Sequence, residues 1–309
     1  MAKILITGGA GNIGSALTRS LASVEENTIV IVDNLLTGSL SKVEKQNNVS
    51  FIKANVNEYN DLAPIFGSFK FDYVFHYAAV VGVKRTLNNP MMVLNDIEGI
   101  KNILSLSKNT GVKRVFYASS SEVYGEPFEF PQKENTTPLN SRLPYAIVKN
   151  VGEAFFRSFY LEYGLEYTIF RFFNTYGPNQ SEDFVMPRFL KAALSHEPIY
   201  IYGEGSQSRT FCYVDDNVDT TINAMNDPSC SNQLLNVGSD IEISICELAQ
   251  RIISLTHSRS EIRFLPPLEE GDMNRRCPDI TLMKKLLGRE LLNLDQGIKK
   301  LIQHYESRK

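Results

Sequence analysis

Between a short apolar run, KILIT at 3–7, and three apolar residues at helical spacing, Ile13, Leu17 and Leu21, lies the segment TGGAGNIG at 7–14. The run is too short for a stable helix and stops at glycine, so it reads as a buried strand, and the residues after the glycines read as a helix. Gly8, Gly11 and Gly14 give the connecting turn a GxxGxxG spacing. Such a turn lets backbone approach a pyrophosphate and sets a helix N-terminus beside its charge. Gly9 adds a permissive turn position, and Asn12 and Ile13 lie in the same turn. Glycines here would equally serve a tight turn with close helix–strand packing, so the motif alone leaves both readings open.

The alternation continues along the chain. TIVIVD at 28–33 and segments near 49–53, 71–76 and 113–118 read as strands, separated by helical periodicity such as Val93, Ile97, Ile100 and Leu104. Residues 144–163 read as a helix stopped by Gly164, and EYTIFRF at 166–172 as a further strand. Strands alternating with helices imply an α/β fold with a doubly wound parallel sheet. After Phe173 the texture shifts to loops rich in Gly, Pro and Asn with shorter elements. A cofactor domain is therefore expected over 1–174 and a smaller C-terminal substrate-binding α/β lobe over 175–309, with part of 210–240 packing back on the first domain.

Composition narrows the partners. The 309 residues are 43% apolar and 22% charged, ordinary for a globular enzyme, and the net charge of -3 gives no electrostatic reason to expect nucleic acid or an anionic membrane. Cys212, Cys230, Cys246 and Cys277 lack CxxC spacing and the histidines at 76, 196, 257 and 304 are dispersed, so reduced thiols and no metal are expected. Strand-like sequence begins at Lys3 and no apolar run reaches membrane-spanning length, which points to a soluble, cytoplasmic protein.

Asp33 ends the second strand about 20 residues beyond the glycines. A carboxylate there accepts hydrogen bonds from a ribose diol and repels a 2′-phosphate, which favours NAD over NADP. Asn34 either assists or simply begins a turn. Asn55 and Val56 follow FIKA, where Asn55 either meets the adenine edge or starts a turn. HYAAV at 76–80 closes the fourth strand with Ala78 and Ala79, small enough for close approach near the middle of a cofactor. Lys84 and Arg85 follow in a loop, either as a solvated basic pair or as contacts to substrate or cofactor phosphates.

The second informative segment pairs ASSSEVYG at 118–125 with YAIVK at 145–149. Tyr145 and Lys149 are four apart on an expected helix and share one face. A phenol with an ordinary pKa near ~10 is a poor base at neutral pH, but an adjacent ammonium and a nicotinamide cation stabilise its phenolate. Ser120 can hydrogen-bond the same substrate hydroxyl and align it. Phe155, Phe156, Phe159 and Tyr160 form an aromatic helix face suited to a core or a dimer interface.

With these residues the chain resembles the extended short-chain dehydrogenase/reductases of the nucleotide-sugar epimerase, dehydratase and decarboxylase branch, over nearly its whole length. RFFNTYGP at 171–178, YGEGSQSRTFCYVDD at 202–216 and NVGSDIEIS at 236–244 carry the likeness into the second half. The resemblance implies a Rossmann-type domain, bound NAD, a nucleoside-diphosphate sugar (a UDP-sugar favoured), and a homodimer packed through helices near 90–108 and 144–163. It further implies oxidation at the sugar's C4, with Tyr145 as base, Lys149 as its electrostatic partner and Ser120 as positioner. By the same likeness Asn174 and Arg209 contact the diphosphate, although Arg209 reads alternatively as a surface cation.

Glu122 selects among the branches. Simple 4-epimerases usually carry a small or hydroxyl residue there, so a carboxylate implies proton work beyond C4. In 4,6-dehydratases an Asp acid commonly precedes it, whereas here Ser121, a much weaker acid, does. Arg142, three before Tyr145, and Arg276 in NRRCPD at 274–279 resemble positions that hold the substrate carboxylate in UDP-glucuronate decarboxylases. Arg142 also reads as a solvated loop cation, and its loop, TTPLNSRLPYAIVK, is closer to epimerases and dehydratases. The resemblance thus implies UDP-glucuronate decarboxylation first, 4,6-dehydration second and 4-epimerisation third, with a non-enzymatic NAD sensor disfavoured by intact Ser120, Tyr145 and Lys149.

Overall fold

The computed structural model describes residues 1–267 and 275–307, without the side chains of Val83 and Lys84. The first half runs β1 (Lys3–Thr7), α1 (Asn12–Ala22), β2 (Thr28–Asp33), β3 (Val49–Lys53), α2 (Tyr59–Phe69), β4 (Tyr73–His76), α3 (Val83–Asn88), α4 (Pro90–Leu94), α5 (Asp96–Thr110), β5 (Arg114–Ser120), α6 (Pro144–Tyr163) and β6 (Glu166–Phe172). The second runs β7 (Thr175–Tyr176), α7 (Val185–Leu194), β8 (Ile199–Tyr202), β9 (Ser208–Thr210), β10 (Cys212–Tyr213), α8 (Val214–Asn226), β11 (Gln233–Val237), β12 (Glu242–Ser244), α9 (Ile245–Leu255), β13 (Ile262–Leu265), α10 (Thr281–Leu287) and α11 (Leu294–Glu306).

Among the described residues seven parallel strands form one sheet in the order β11-β6-β5-β4-β1-β2-β3. Alternate residues of a strand face opposite sides, and here both sides are apolar: Ile4, Ile6, Ile29 and Ile31 join one core layer, and Leu5, Val30 and Val32 the other. Helices α1 and α8 cover the first face, and α2, α5 and α6 the second. This is a Rossmann-like α/β fold. The second half adds the small pairs β7–β10, β9–β12 and β8–β13, while β11 returns to the large sheet beside β6.

Strand order reverses direction between β1 and β4, and a crevice opens there at the C-terminal strand ends. Two segments differ from their sequence reading. The stretch containing Lys84 and Arg85 is the short helix α3, begun at Gly82 with φ +102, rather than a loop. Residues 90–108 form two helices, α4 and α5, separated at Asn95, and the Asp96 carboxylate that opens α5 accepts the Val80 N–H at 2.8 Å.

Candidate active site

The crevice is a cavity of about 580 Å³ lined from the ends of β1, β2, β4 and β5, from α6, and from segments of the second half. The glycine turn forms one wall. Gly8 sits at φ +72, and a Cβ on it would meet the Ala78 backbone nitrogen at 2.7 Å, so the turn after β1 and the end of β4 are in contact only because Gly8 has no side chain. A Cβ on Gly14 would collide with the Gly8 carbonyl. Gly11 caps α1 with no side-chain hydrogen bond, leaving the helix N-terminus open to the cavity. Thr7 fixes the neighbouring strand end: its hydroxyl accepts the Tyr77 and Ala78 N–H groups at 3.2 Å each and lies 2.9 Å from His76 Nδ1. With both lone pairs used, its proton goes to His76. Burial, then Lys149, holds that imidazole down to about 3, so it stays neutral.

Asp33 lines the cavity at the end of β2, its oxygens accepting the Ala10 N–H at 3.0 Å and the Leu35 N–H at 2.8 Å. Two N–H donors orient the carboxylate and leave acceptor capacity for a ribose diol. Asn12, Ile13, Asn34, Asn55, Val56, Ala78 and Ala79 line the same cavity. Asn57 lines the cavity as well, and the Oδ1 atoms of Asn12 and Asn57 are themselves buried, against Gly177 and Gly99. Open helix N-terminus and oriented carboxylate fit a dinucleotide with a free ribose 2′-hydroxyl.

The opposite wall holds the reacting groups. Ser120 ends β5, and its Oγ accepts the Glu122 N–H at 3.2 Å within the tight turn Ser121–Tyr124. Helix α6 starts with Pro144 at its first turn and presents Tyr145 and Lys149 on one face. The helix is fixed to the sheet by a buried pair: Arg171 of β6 donates to both Glu153 oxygens at 2.9 and 2.7 Å, and Ser119 Oγ donates to Glu153 at 2.6 Å. Lys149, 4% exposed, donates to the Ala118 carbonyl at 2.7 Å, with its Nζ 5.6 Å from the centre of the Tyr145 ring. Burial pulls the Lys149 ammonium down to about 8. Burial, then the Glu122 carboxylate, pushes the Tyr145 phenol well above its ordinary value, while Ser120 and Arg276 act in the opposite direction.

Arg276 reaches this wall from the other end of the chain. Its guanidinium, 6% exposed, pairs with Glu122 Oε1 at 2.7 Å inside the cavity. The segment is anchored to Gln132, whose N–H donates to the Cys277 carbonyl and whose carbonyl accepts the Asp279 N–H, both at 2.8 Å. Ser121 is buried beside Glu122 and also lines the cavity.

Other sequence candidates fall differently. Asn174 lines the cavity and donates to the Thr210 carbonyl at 3.0 Å. Arg209 is buried on β9, donating to the Ser208 carbonyl at 2.7 Å, and is not among the lining residues. Arg142 is exposed and outside the cavity, because its neighbours Leu143 and Pro144 take the lining positions. The Lys84 side chain lies outside the described residues. Sequence reading gave no role to Asp96, whose carboxylate lines the cavity, and did not pair Arg85 with Asp183 at 3.1 Å across its rim. Asp96 shares the first turn of α5 with a second acid, Glu98, and nothing local in the sequence separates the two.

Comparison with known proteins places this geometry. Residues 4–238 match the model of the NAD dependent epimerase/dehydratase family. The chain is 36% identical to the UDP-N-acetyl-alpha-D-glucosaminuronate decarboxylase of Bacillus cytotoxicus, covering 98% of this chain and 97% of that protein. It is 36% identical to UDP-glucuronic acid decarboxylase 1 of Danio rerio, covering 98% and 72% respectively. Its fold superposes on the UDP-glucose 4-epimerase of Thermotoga maritima, solved with UDP-glucose, with a TM-score of 0.93 at 30% identity over 99% of both chains. Glycine turn, Asp33 and the Ser120–Tyr145–Lys149 wall thus sit in a chain that belongs to the NAD-dependent epimerase/dehydratase family, whose members modify nucleotide sugars.

Proposed function

We propose that this protein decarboxylates a UDP-uronate, UDP-glucuronate in first place, through transient oxidation at C4. The observation that carries the reading is the Arg276–Glu122 ion pair at 2.7 Å, placed in the same cavity as Ser120, Tyr145 and Lys149. A 4-epimerase acting on a neutral sugar needs only to oxidise, rotate and reduce it, and has no carboxylate for a buried guanidinium to hold. A uronate brings a carboxylate that an arginine fork recognises.

Bound NAD supplies acceptance of the hydride from C4 and its return. Tyr145 takes the C4 hydroxyl proton, Lys149 stabilises the resulting phenolate, and Ser120 aligns the hydroxyl. The C5 carboxylate is then β to a ketone, so the bond between them breaks with its electron pair delocalised onto the ketone oxygen, and carbon dioxide leaves. Arg276 holds that carboxylate before it departs, and Glu122, released from Arg276, stands next to C5 where a proton must be placed. Gly8, Gly11 and Gly14 with Asp33 hold the cofactor, and Asn174 lies toward the diphosphate. We assign the cofactor and the proton-transfer groups to residues 1–174 and nucleotide-sugar binding to the lobe 175–309, which supplies Arg276.

Incubation of purified protein with UDP-glucuronate, UDP-N-acetylglucosaminuronate, UDP-glucose and dTDP-glucose, followed by mass spectrometry, tests the reading. Loss of carbon dioxide from a uronate is the expected result. Loss of water would indicate 4,6-dehydration, and unchanged mass with a new isomer would indicate 4-epimerisation; either would remove the proposal.

We also read the faces of α4 and α6, with Met91, Tyr160, Leu161 and Tyr163 all more than a third exposed, as the contact with a second copy of the chain. Sedimentation equilibrium returning only a 34.9 kDa species would contradict this. With all four cysteines free thiols, the cytoplasm is the compartment we assign.

A further inference from the structure

Lys149 is a buried ammonium whose hydrogen-bond partner is the neutral Ala118 carbonyl, and among the described residues no carboxylate forms an ion pair with it. An uncompensated buried charge is costly, so a counter-charge should be near. Three carboxylates line the cavity: Asp33, Asp96 and Glu122. Glu122 is taken by Arg276. Asp33 ends β2, three strands from the β5 carbonyl that Lys149 holds, a separation of roughly 14 Å at the usual strand spacing. Asp96 remains. It opens α5, the helix packed against α6, and its oxygens are fixed by the Val80 N–H at 2.8 Å and Asn57 Nδ2 at 3.3 Å. A helix N-terminus and two donors favour its ionised form.

We propose that Asp96 is a positioning residue that acts through Lys149, its carboxylate being the counter-charge that keeps the Lys149 ammonium protonated inside the cavity and able to stabilise a Tyr145 phenolate. The inference deepens the reading of Tyr145 and Lys149 as a proton-transfer pair and rests on it. Burial lowers Lys149, and Asp96 is the group that opposes this. Burial raises the Asp96 carboxyl in turn, against Val80, Lys149 and Asn57. Of the other titratable groups near Lys149, Glu153 lies four residues along its own helix but is taken up by the two-fold pair with Arg171, and Tyr145 on the same helix, Tyr117 on β5 with its ring centre 5.1 Å away, and neutral His76 on β4 supply no negative charge. Glu122 and Arg276 act on Tyr145 with opposite signs.

Asp96 also raises the Tyr145 phenol directly, so activity alone would mix two opposed effects. The lysine itself must be titrated. Protein carrying ¹³C at lysine Cε, loaded with NAD and free of substrate, gives a Lys149 resonance identified by its absence in Lys149→Arg. The midpoint is expected to fall by ~0.5 to 1 pH unit in Asp96→Asn, which keeps the shape and removes the charge. Asp96→Glu, which keeps the charge, is expected to stay much closer to the unchanged protein. Asp96→Asn titrating with the unchanged protein would overturn the proposal, as would equal shifts in both variants. Should Asp96→Asn not fold, the reciprocal measurement decides: the Asp96 carboxyl ¹³C midpoint must rise in Lys149→Met, and an unmoved midpoint overturns the coupling. No substrate enters either titration, so a wrong sugar assignment would leave them intact.

Discussion

Replacing Tyr145 by phenylalanine is expected to lower turnover of the nucleotide sugar by about 10³-fold while leaving the cofactor bound. The two effects separate because the hydroxyl and the ring have different work. The ring is half-buried in the α6 face against the second core layer and keeps that packing in the variant. Only the oxygen is lost, and with it the acceptor for the C4 hydroxyl proton. In the free protein burial and Glu122 both disfavour the phenolate, so the cationic partners, Lys149 and the bound nicotinamide, have to reverse that bias before the base can work. Stopped-flow measurement of cofactor reduction, with cofactor affinity followed by calorimetry, checks both halves. A variant that still reduces its cofactor at the original rate would remove Tyr145 from the reaction.

Arg276→Gln is expected to cost ~10 to 100-fold in kcat/KM for UDP-glucuronate and little in affinity for UDP. A charge-assisted hydrogen bond to a carboxylate contributes about 1.5–3 kcal/mol, and 1.4 kcal/mol is tenfold. The variant also frees Glu122 to face the substrate carboxylate, so repulsion adds to the loss. Glutamine is preferred to alanine because it fills more of the buried side-chain space and keeps polar atoms there, while the backbone bonds to Gln132 survive either change. Equal losses for UDP-glucuronate and for UDP would mean that Arg276 supports the nucleotide site and does not read the carboxylate.

The sheet was largely legible because its strands are short apolar runs with clear stops. TIVIVD is β2 residue for residue, and EYTIFRF is β6. Glycine spacing fixed the first turn, since Gly8 and Gly14 sit where any Cβ would meet backbone. Tyr145 and Lys149 were legible for a related reason: helical periodicity alone puts them on one face. What the sequence hid are relations between distant segments. Glu122 and Arg276 were each singled out, but their direct pairing depends on Gln132 pinning the 275–279 segment over the crevice. Arg142 shows the converse. Its likeness to a carboxylate-holding position in decarboxylases implied a substrate contact, with a solvated loop cation as the other reading, and here the two residues between it and Tyr145 occupy the wall while Arg142 is exposed. Asp96 escaped notice because its carboxylate faces the cavity only after the chain breaks between α4 and α5, and no local pattern announces that break.

In the proposed reaction, C4 oxidation and loss of the C5 carboxylate occur on one sugar in one cavity. UDP-glucuronate deuterated at C4 tests both at once by mass spectrometry and NMR of the product. The expected product is lighter by carbon dioxide and retains deuterium at C4, because the hydride that leaves is the one returned. A product of unchanged mass, or one that has lost water with its carboxylate intact, would contradict it.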